Sequence, residues 1–492
     1  MPQGEQIVVP RKGLSNVALI MACGTALFSD GYINGVIGSV NTILKRLYPV
    51  ETKMHNHSEI YSSIGFAGIV VGQLTFGWLS DLVGRKNGMF IANVLVFVFV
   101  ALSAGAYGAG GSINGMLAAL SAYRFLSGIG IGAEYPAGSV AAAENTEQPG
   151  IKKNRQQLWF ALATNTAIDV GFVIASFVPL VLLWIFGMDH LRVVWRMSLG
   201  LGCVTPVVLF LLRLRIAAEP ALFQKSSLKK ADYVPWTLIF KRYWLRFTGI
   251  AIVWFIYDFI SYPFGIYSST VVDTIIGDTE SLYVVFGWNV VINLFYIPGT
   301  MLGALVLDYF KPRTMLIFFL LLQAVTGFLM SGLYNQLSAH IAAFAVLYGL
   351  FLSFGEAGPG NCIGLLSVKS GPTAIRGRFY GLAAAIGKVG AYVGTWAFPA
   401  MITAFGGDDT TKGNTGPFWV GSGLAVFAAI VTYFCIPELN ADSMAKEDIA
   451  FKEYLSEHGY NIDNFGARDE SAIRKEIDSK DMDITNDVNI LA

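Results

Sequence analysis

The chain has 492 residues, 54% of them hydrophobic and only 14% charged, where soluble domains carry about 25% charged residues. Lys plus Arg and Asp plus Glu number 34 each, so the formal net charge is zero. This composition excludes an ordinary soluble domain and offers no basic surface for nucleic acid; it is that of a protein that crosses a lipid bilayer many times.

In chain order, residues 1–16 hold Arg11 and Lys12 but no apolar core, and read as a cytoplasmic N-terminus rather than a secretory signal. Runs long enough to cross about 30 Å of hydrocarbon as helices follow near 17–40, 60–81, 89–108, 115–143, 157–185 and 193–213. Residues 214–245 form a basic central cytoplasmic loop. A second set of runs falls near 246–276, 281–308, 314–333, 338–366, 376–404 and 416–436. Residues 438–492 are charged and polar, and read as a partly disordered cytoplasmic tail. The expected fold is an all-α membrane protein with twelve transmembrane helices in two six-helix halves, 17–213 and 246–437.

The Lys and Arg residues set the orientation. They cluster before the first span, between spans two and three (Arg85, Lys86), after span four (Lys152, Lys153, Arg155), between the halves, and after spans eight and ten. The alternate loops "GAGGSIN", "GDTES" and "YNQLSA" have none, which places both termini in the cytoplasm. Lys45, Arg46 and Lys53 in the first outer loop depart from the pattern without reversing the bias. That loop also holds an N-x-S/T sequon, Asn56 to Ser58, where glycosylation can reach Asn56. The four cysteines fall in apolar runs without metal-ligand spacing and read as small buried hydrophobes, so no metal is expected.

The halves echo each other. Span four reads "GAEYPAG" (132–138) and span ten "FGEAGPG" (354–360), each a glutamate near a proline in a glycine-rich helix. Asp30 and Asp258 lie midway along spans one and seven, and "GWLSDLVGRK" (77–86) after span two is matched by "ALVLDYFKPR" (304–313) after span eight. Parallel halves with matched interrupted helices mark a transporter whose site lies between them at the midplane.

Seven ionisable residues fall at membrane depth: Asp30, Arg124, Glu134, Asp169, Asp258, Glu356 and Lys388. Facing lipid, they would cost on the order of 20 kcal/mol together, so they must face a shared interior or a wet cavity. Five acids against two bases leave an excess of negative charge, a physical reason to expect proton coupling. In "WFIYDFISY" the spacing i, i+4, i+8 aligns Trp254, Asp258 and Tyr262 on one helix face, read as a cavity wall, with Pro263 following. Lys388, amid small residues in "AAIGKVGAY", needs a partner: Asp258, an anionic substrate, or both in turn. Asn361 can donate to the same anion or make a helix–helix hydrogen bond. Asp81 and Arg85 can latch the cytoplasmic side in one state of a rocking cycle, or serve as a simple positive-inside anchor.

"GWLSDLVGRK" resembles the loop signature of the major facilitator superfamily, and "RFLSGIGIGAEYP", from Arg124, its fourth-span motif. Together with "WFIYDFISY" and "GKVGA" the chain resembles the phosphate:proton symporter family. Through "ATNTAIDVGFVIASFVP" and "FGEAGPGNCIGLL" it is most similar there to the fungal glycerophosphodiester permeases, importers of glycerophosphocholine or glycerophosphoinositol. The inorganic phosphate carriers have a fifth-span glutamine at their site; Ala163 to Asn165 here have none. A glutamine-rich seventh span and a P-E-S-P-R run, marks of the sugar porters, are also missing.

The resemblance implies the major facilitator fold in the plasma membrane, a monomer, no cofactor beyond the proton gradient, and no enzymatic activity. It implies that Tyr135, Trp254, Asp258, Tyr262 and Lys388 contact the phosphate group, with Asn361 matched at a one-residue offset. It places Asp30, Arg124 and Glu134 on the proton route. The expected cycle is proton-coupled uptake of a glycerophosphodiester by alternating access, with Lys388 attracting the anion and Asp258 or Glu134 holding the proton. A choline headgroup would sit against Trp254, an inositol near Asn165 and Asn361. An inorganic phosphate symporter and a non-transporting nutrient sensor are the alternatives.

Overall fold

The computed structural model describes residues 16–83, 85–146, 151–213, 235–276, 281–372, 375–439 and 443–460. The first half consists of α1 (Val17–Leu47), α2 (His57–Val83), α3 (Arg85–Ala104), α4 (Ile113–Glu134, continued by Tyr135–Ser139 and Val140–Thr146), α5 (Gln156–Phe186) and α6 (Met188–Leu211). The second consists of α7 (Trp236–Ile266), α8 (Leu282–Val306), α9 (Pro312–Gly332), α10 (Ile341–Ser370), α11 (Arg376–Ala404) and α12 (Thr411–Cys435). Eleven of these are long and apolar enough to cross a membrane. The remaining one, α11, is rich in glycine and alanine around Lys388 and is wedged between α2, α7 and α12.

Small residues set the close approaches. A side chain on Gly128 or Gly132 of α4 would strike the carbonyl of Gly65 or Ile69 on α2, so these two backbones touch. The halves meet along α2 and α11 on one side and along α5 and α8 on the other. The two echoed segments are the matched interruptions: Tyr135–Ser139 in α4 and Glu356–Gly360 in α10 are each one π-helical turn. Pro136 and Pro359 each withhold a backbone N–H, which breaks the regular ladder and lets the turn widen.

Two boundaries differ from the sequence expectation. The seventh helix begins at Trp236 rather than near 246, so the end of the expected 214–245 loop is helical. Lys241, Arg242 and Arg246 interrupt the apolar run there, while Ile239 and Tyr243, one turn apart, bury a single face. The expected tail also holds an ordered helix, α13 (Ser443–Glu457). Glu447, Phe451 and Leu455 recur every four residues on its inner face. Glu447 accepts from the Tyr243 hydroxyl at 2.7 Å and from Arg246 at 2.9 Å, with Arg242 at 3.3 Å. The Phe451 ring lies 5.9 Å from that of Tyr243, and Leu455 is fully buried. Residues 1–15, 214–234 and 461–492 of the expected terminal and central segments lie outside the described residues.

Burial alone would raise the Glu447 carboxyl, but the Tyr243 hydroxyl and the two guanidinium groups outweigh it and hold the group below its ordinary range. A depressed folded value means that the docking stability is present above the ordinary carboxylate range and is lost as pH falls through the lower folded value. Glu447→Gln is therefore expected to raise protease cleavage within α13 several-fold at neutral pH. Wild-type protein should show the same rise only on acidification below the carboxylate range, as limited proteolysis of purified protein can check.

Candidate functional site

All seven intramembrane charges are at most 3% exposed. Their arrangement centres on Lys388 of α11. Its ammonium lies 3.4 Å from Asp258 of α7 and 3.4 Å from Asp30 of α1, so one cation is shared by acids from opposite halves. It also donates to the Tyr262 hydroxyl and stands 3.9 Å from that ring's centre and 5.2 Å from the centre of Tyr135. Tyr262 in turn donates to Asp30 at 2.8 Å, and Tyr135 donates to the same Asp30 oxygen. The other Asp30 oxygen accepts from Asn34, one turn along α1, at 2.7 Å. Desolvating a lysine is tolerable only with such close counter-charges and hydrogen bonds.

A second acidic cluster lies on α5 and α10. The Asn165 amide nitrogen is 3.2 Å from both Asp169 and Glu356, and 3.3 Å from the Thr300 hydroxyl of α8. Tyr257 donates to Glu356 at 2.7 Å. Both clusters border one cavity of about 50 Å³ between the halves, lined by Tyr135, Asn165, Asp169, Trp254, Tyr257, Asp258, Tyr262, Glu356 and Lys388 among others. This volume holds one or two water molecules, so a larger solute fits only once the halves part. Polar contacts also tie the halves together away from the cavity. Arg46 of α1 pairs at 2.6 Å with Asp273 on the short helix Ser268–Ile276, and Asp308, just past α8, accepts from the backbone N–H of Gln157 and Leu158 at 3.2 and 3.0 Å. The latter carboxylate caps the start of α5.

The structure thus gathers Asp30, Tyr135, Asp258, Tyr262 and Lys388, with Trp254, Asn165, Asp169 and Glu356 on the same cavity. Three expected residues fall elsewhere. Asn361 is turned away from the cavity and donates to the Thr300 carbonyl at 3.0 Å, a helix–helix bond. Arg124 does not touch Asp30; its guanidinium donates to the carbonyls of Tyr61 and Ile33 at 2.6 and 3.0 Å and to Asn34 at 3.2 Å. It braces α4 against α1 and α2, one residue removed from the shared carboxylate. Glu134 is buried off the cavity wall, its carboxylate beside Gly138. The side chains of Asp81 and Arg85 lie outside the described residues. Asn56 is exposed in a left-handed turn (φ 54°), while the sequon hydroxyl of Ser58 donates to Asn41 at 2.8 Å.

Sequence reasoning missed Asn34, Tyr257, Tyr380 and Asp308. Asn34 carries a local signal, since Asp30 and Asn34, like Asn165 and Asp169, are i, i+4 pairs of polar residues inside apolar helices. Tyr257 escaped because the stripe through Trp254, Asp258 and Tyr262 passes beside it. Tyr380 meets Trp254 edge to face at 5.5 Å and depends on how α7 and α11 pack.

Two six-helix halves with a small charge-lined cavity between them have the form of a membrane transporter. The family described as "Sugar (and other) transporter" matches residues 17–223 and 216–451. The chain is 43% identical over 488 residues to the glycerophosphocholine permease GIT4 of Candida albicans, covering 99% of this chain and 90% of that protein. It is 45% identical over 450 residues to the major glycerophosphoinositol permease GIT3 of the same organism, covering 90% and 83%. The fold matches that of the proton:xylose symporter XylE from E. coli with a TM-score of 0.69 at 18% identity, covering 89% of this chain and 98% of that one. The chain belongs to the sugar (and other) transporter family of the major facilitator superfamily, in the group that contains the fungal glycerophosphodiester permeases.

Removing the shared cation leaves two buried acids uncompensated, and breaking a buried pair costs about 3–5 kcal/mol. Lys388→Ala is expected to lower the unfolding temperature of the purified protein, and adding Asp258→Asn should restore part of the loss.

Proposed function

We propose that the chain is a proton-coupled symporter that imports glycerophosphodiesters across the plasma membrane by alternating access, working as a monomer with both termini in the cytoplasm. The observation that carries this reading is a buried lysine, Lys388, shared by two acids from opposite halves at the wall of a small cavity between them. The names of the relatives at 43% and 45% identity support the substrate class.

The charge balance supplies the mechanism. In the empty site, two carboxylates surround one ammonium. A phosphodiester arriving at Lys388 adds a further negative charge in a low-dielectric interior, where like charges repel strongly. A proton taken up with it, on Asp258 or Asp30, returns the site to its former charge. Tyr135 and Tyr262 then turn their hydroxyls from Asp30 to the phosphodiester oxygens. With the anion in place of one acid, the tie between halves is remade through substrate, which permits the rocking step. The Asp308 cap on α5 and the Arg46–Asp273 pair are among the ties that opening must break in turn. A singly charged diester needs one proton for this balance, whereas doubly charged free phosphate would need two.

The test is uptake of labelled glycerophosphocholine and glycerophosphoinositol by cells expressing the chain. Uptake of at least one should collapse when the proton gradient is dissipated, and should fall at least about tenfold in Lys388→Ala and in Asp258→Asn. Uptake that survives an uncoupler would overturn the coupling; uptake unchanged in both variants would overturn the assigned site.

A further inference from the structure

The lysine cluster leaves half of the cavity unexplained. At the other end, Asp169 and Glu356 share the Asn165 amide, and neither forms an ion pair among the described residues. Their donors are already committed: Tyr257 to Glu356, and Asn165 to the two acids and Thr300. The walls are aromatic, with Phe172 and Tyr296 at 5.4 Å between ring centres beside Tyr257. Ser261, one turn along α7 from Tyr257, lines the same cavity at 7% exposure, and its hydroxyl has no hydrogen-bond partner among the described residues. It lies near Gly355, next to Glu356, where it can serve a polar ligand atom at this end of the cavity.

We propose that Asp169 and Glu356 form a subsite for a cationic headgroup, a quaternary ammonium, whose phosphodiester sits at Lys388. This rests on the glycerophosphodiester reading above and names the class of diester that the site prefers. Two carboxylates without a cation favour a positive group over a neutral polyol. The committed donors also favour it, because a trimethylammonium neither gives nor receives hydrogen bonds and leaves that network intact. The rings of Phe172, Tyr257 and Tyr296 attract it through their faces. Ser261 is then placed to donate to the ester or glycerol oxygen between the two charges. A zwitterionic diester so held is matched locally at each end: its anion meets the ammonium, where the co-transported proton restores the charge balance, and its cation meets the acids.

The test compares two competitors of labelled glycerophosphocholine uptake in cells expressing the full chain. One is unlabelled glycerophosphocholine. The other is the 3,3-dimethylbutyl ester of glycerophosphate, in which carbon replaces the nitrogen and only the charge is lost. Wild-type protein should prefer the choline ester at least about tenfold. Glu356→Gln, which keeps the shape, and Asp169→Asn should each shrink that ratio toward one. The ratio does not depend on how much protein folds, and the wild-type comparison needs no variant. A wild-type ratio near one, or a ratio unchanged in both variants, overturns the proposal while leaving glycerophosphodiester transport standing. Absence of uptake and competition by any glycerophosphodiester overturns that reading, and the subsite with it.

Discussion

One ammonium group sits between two carboxylates that belong to different halves of the molecule, and the rest of the site is organised around it. Lys388 is buried away from bulk solvent in the middle of α11, so its charge is tolerable only with counter-charges at contact distance. Asp30 and Asp258 supply them from α1 and α7, each 3.4 Å away. The tyrosines spend their hydroxyls on Asp30, and Arg124 acts on it only through Asn34. The halves are therefore joined at their centre by an ionic interaction. A purely apolar seam would be stronger but would not respond to an anion.

The two π-helical turns explain how a bilayer-spanning bundle presents such groups. A regular helix places its side chains in fixed rows. The turn at Tyr135–Ser139 carries Tyr135 to the cavity while Glu134 stays off its wall, and the turn at Glu356–Gly360 brings Glu356 to the wall while Asn361 points to α8. The prolines that make the turns possible are the residues that looked most out of place in an apolar run. Irregular backbone at this depth is tolerated because it borders a cavity between halves rather than lipid.

Much of this was legible in the sequence, for identifiable reasons. Hydropathy marks eleven of the twelve long helices, because length and apolarity are local properties. The membrane-depth charges single themselves out by cost, and the i, i+4, i+8 stripe orients Asp258 and Tyr262. What stayed hidden is non-local or diluted. Asn165 and Glu356 are 191 positions apart and meet only because α5 and α10 face one cavity. Asn361 follows Glu356 by a few residues yet faces another helix, since a π-helical turn shifts the angular register that spacing arguments assume. The start of α7 and the docked helix α13 were masked by charge: Arg242, Arg246 and Glu447 look like solvated loop residues one at a time, and become a binding surface only as a set.

The central question is what Lys388 holds when substrate is present. The direct measurement is a structure of the full chain with glycerophosphocholine bound. If Lys388 receives the anion, phosphodiester oxygens lie within hydrogen-bond distance of its ammonium and of the Tyr135 or Tyr262 hydroxyl, with the Lys388 contact to one of Asp30 and Asp258 broken. A bound diester whose phosphate lies elsewhere in the bundle, with Lys388 still between both carboxylates, would contradict that role.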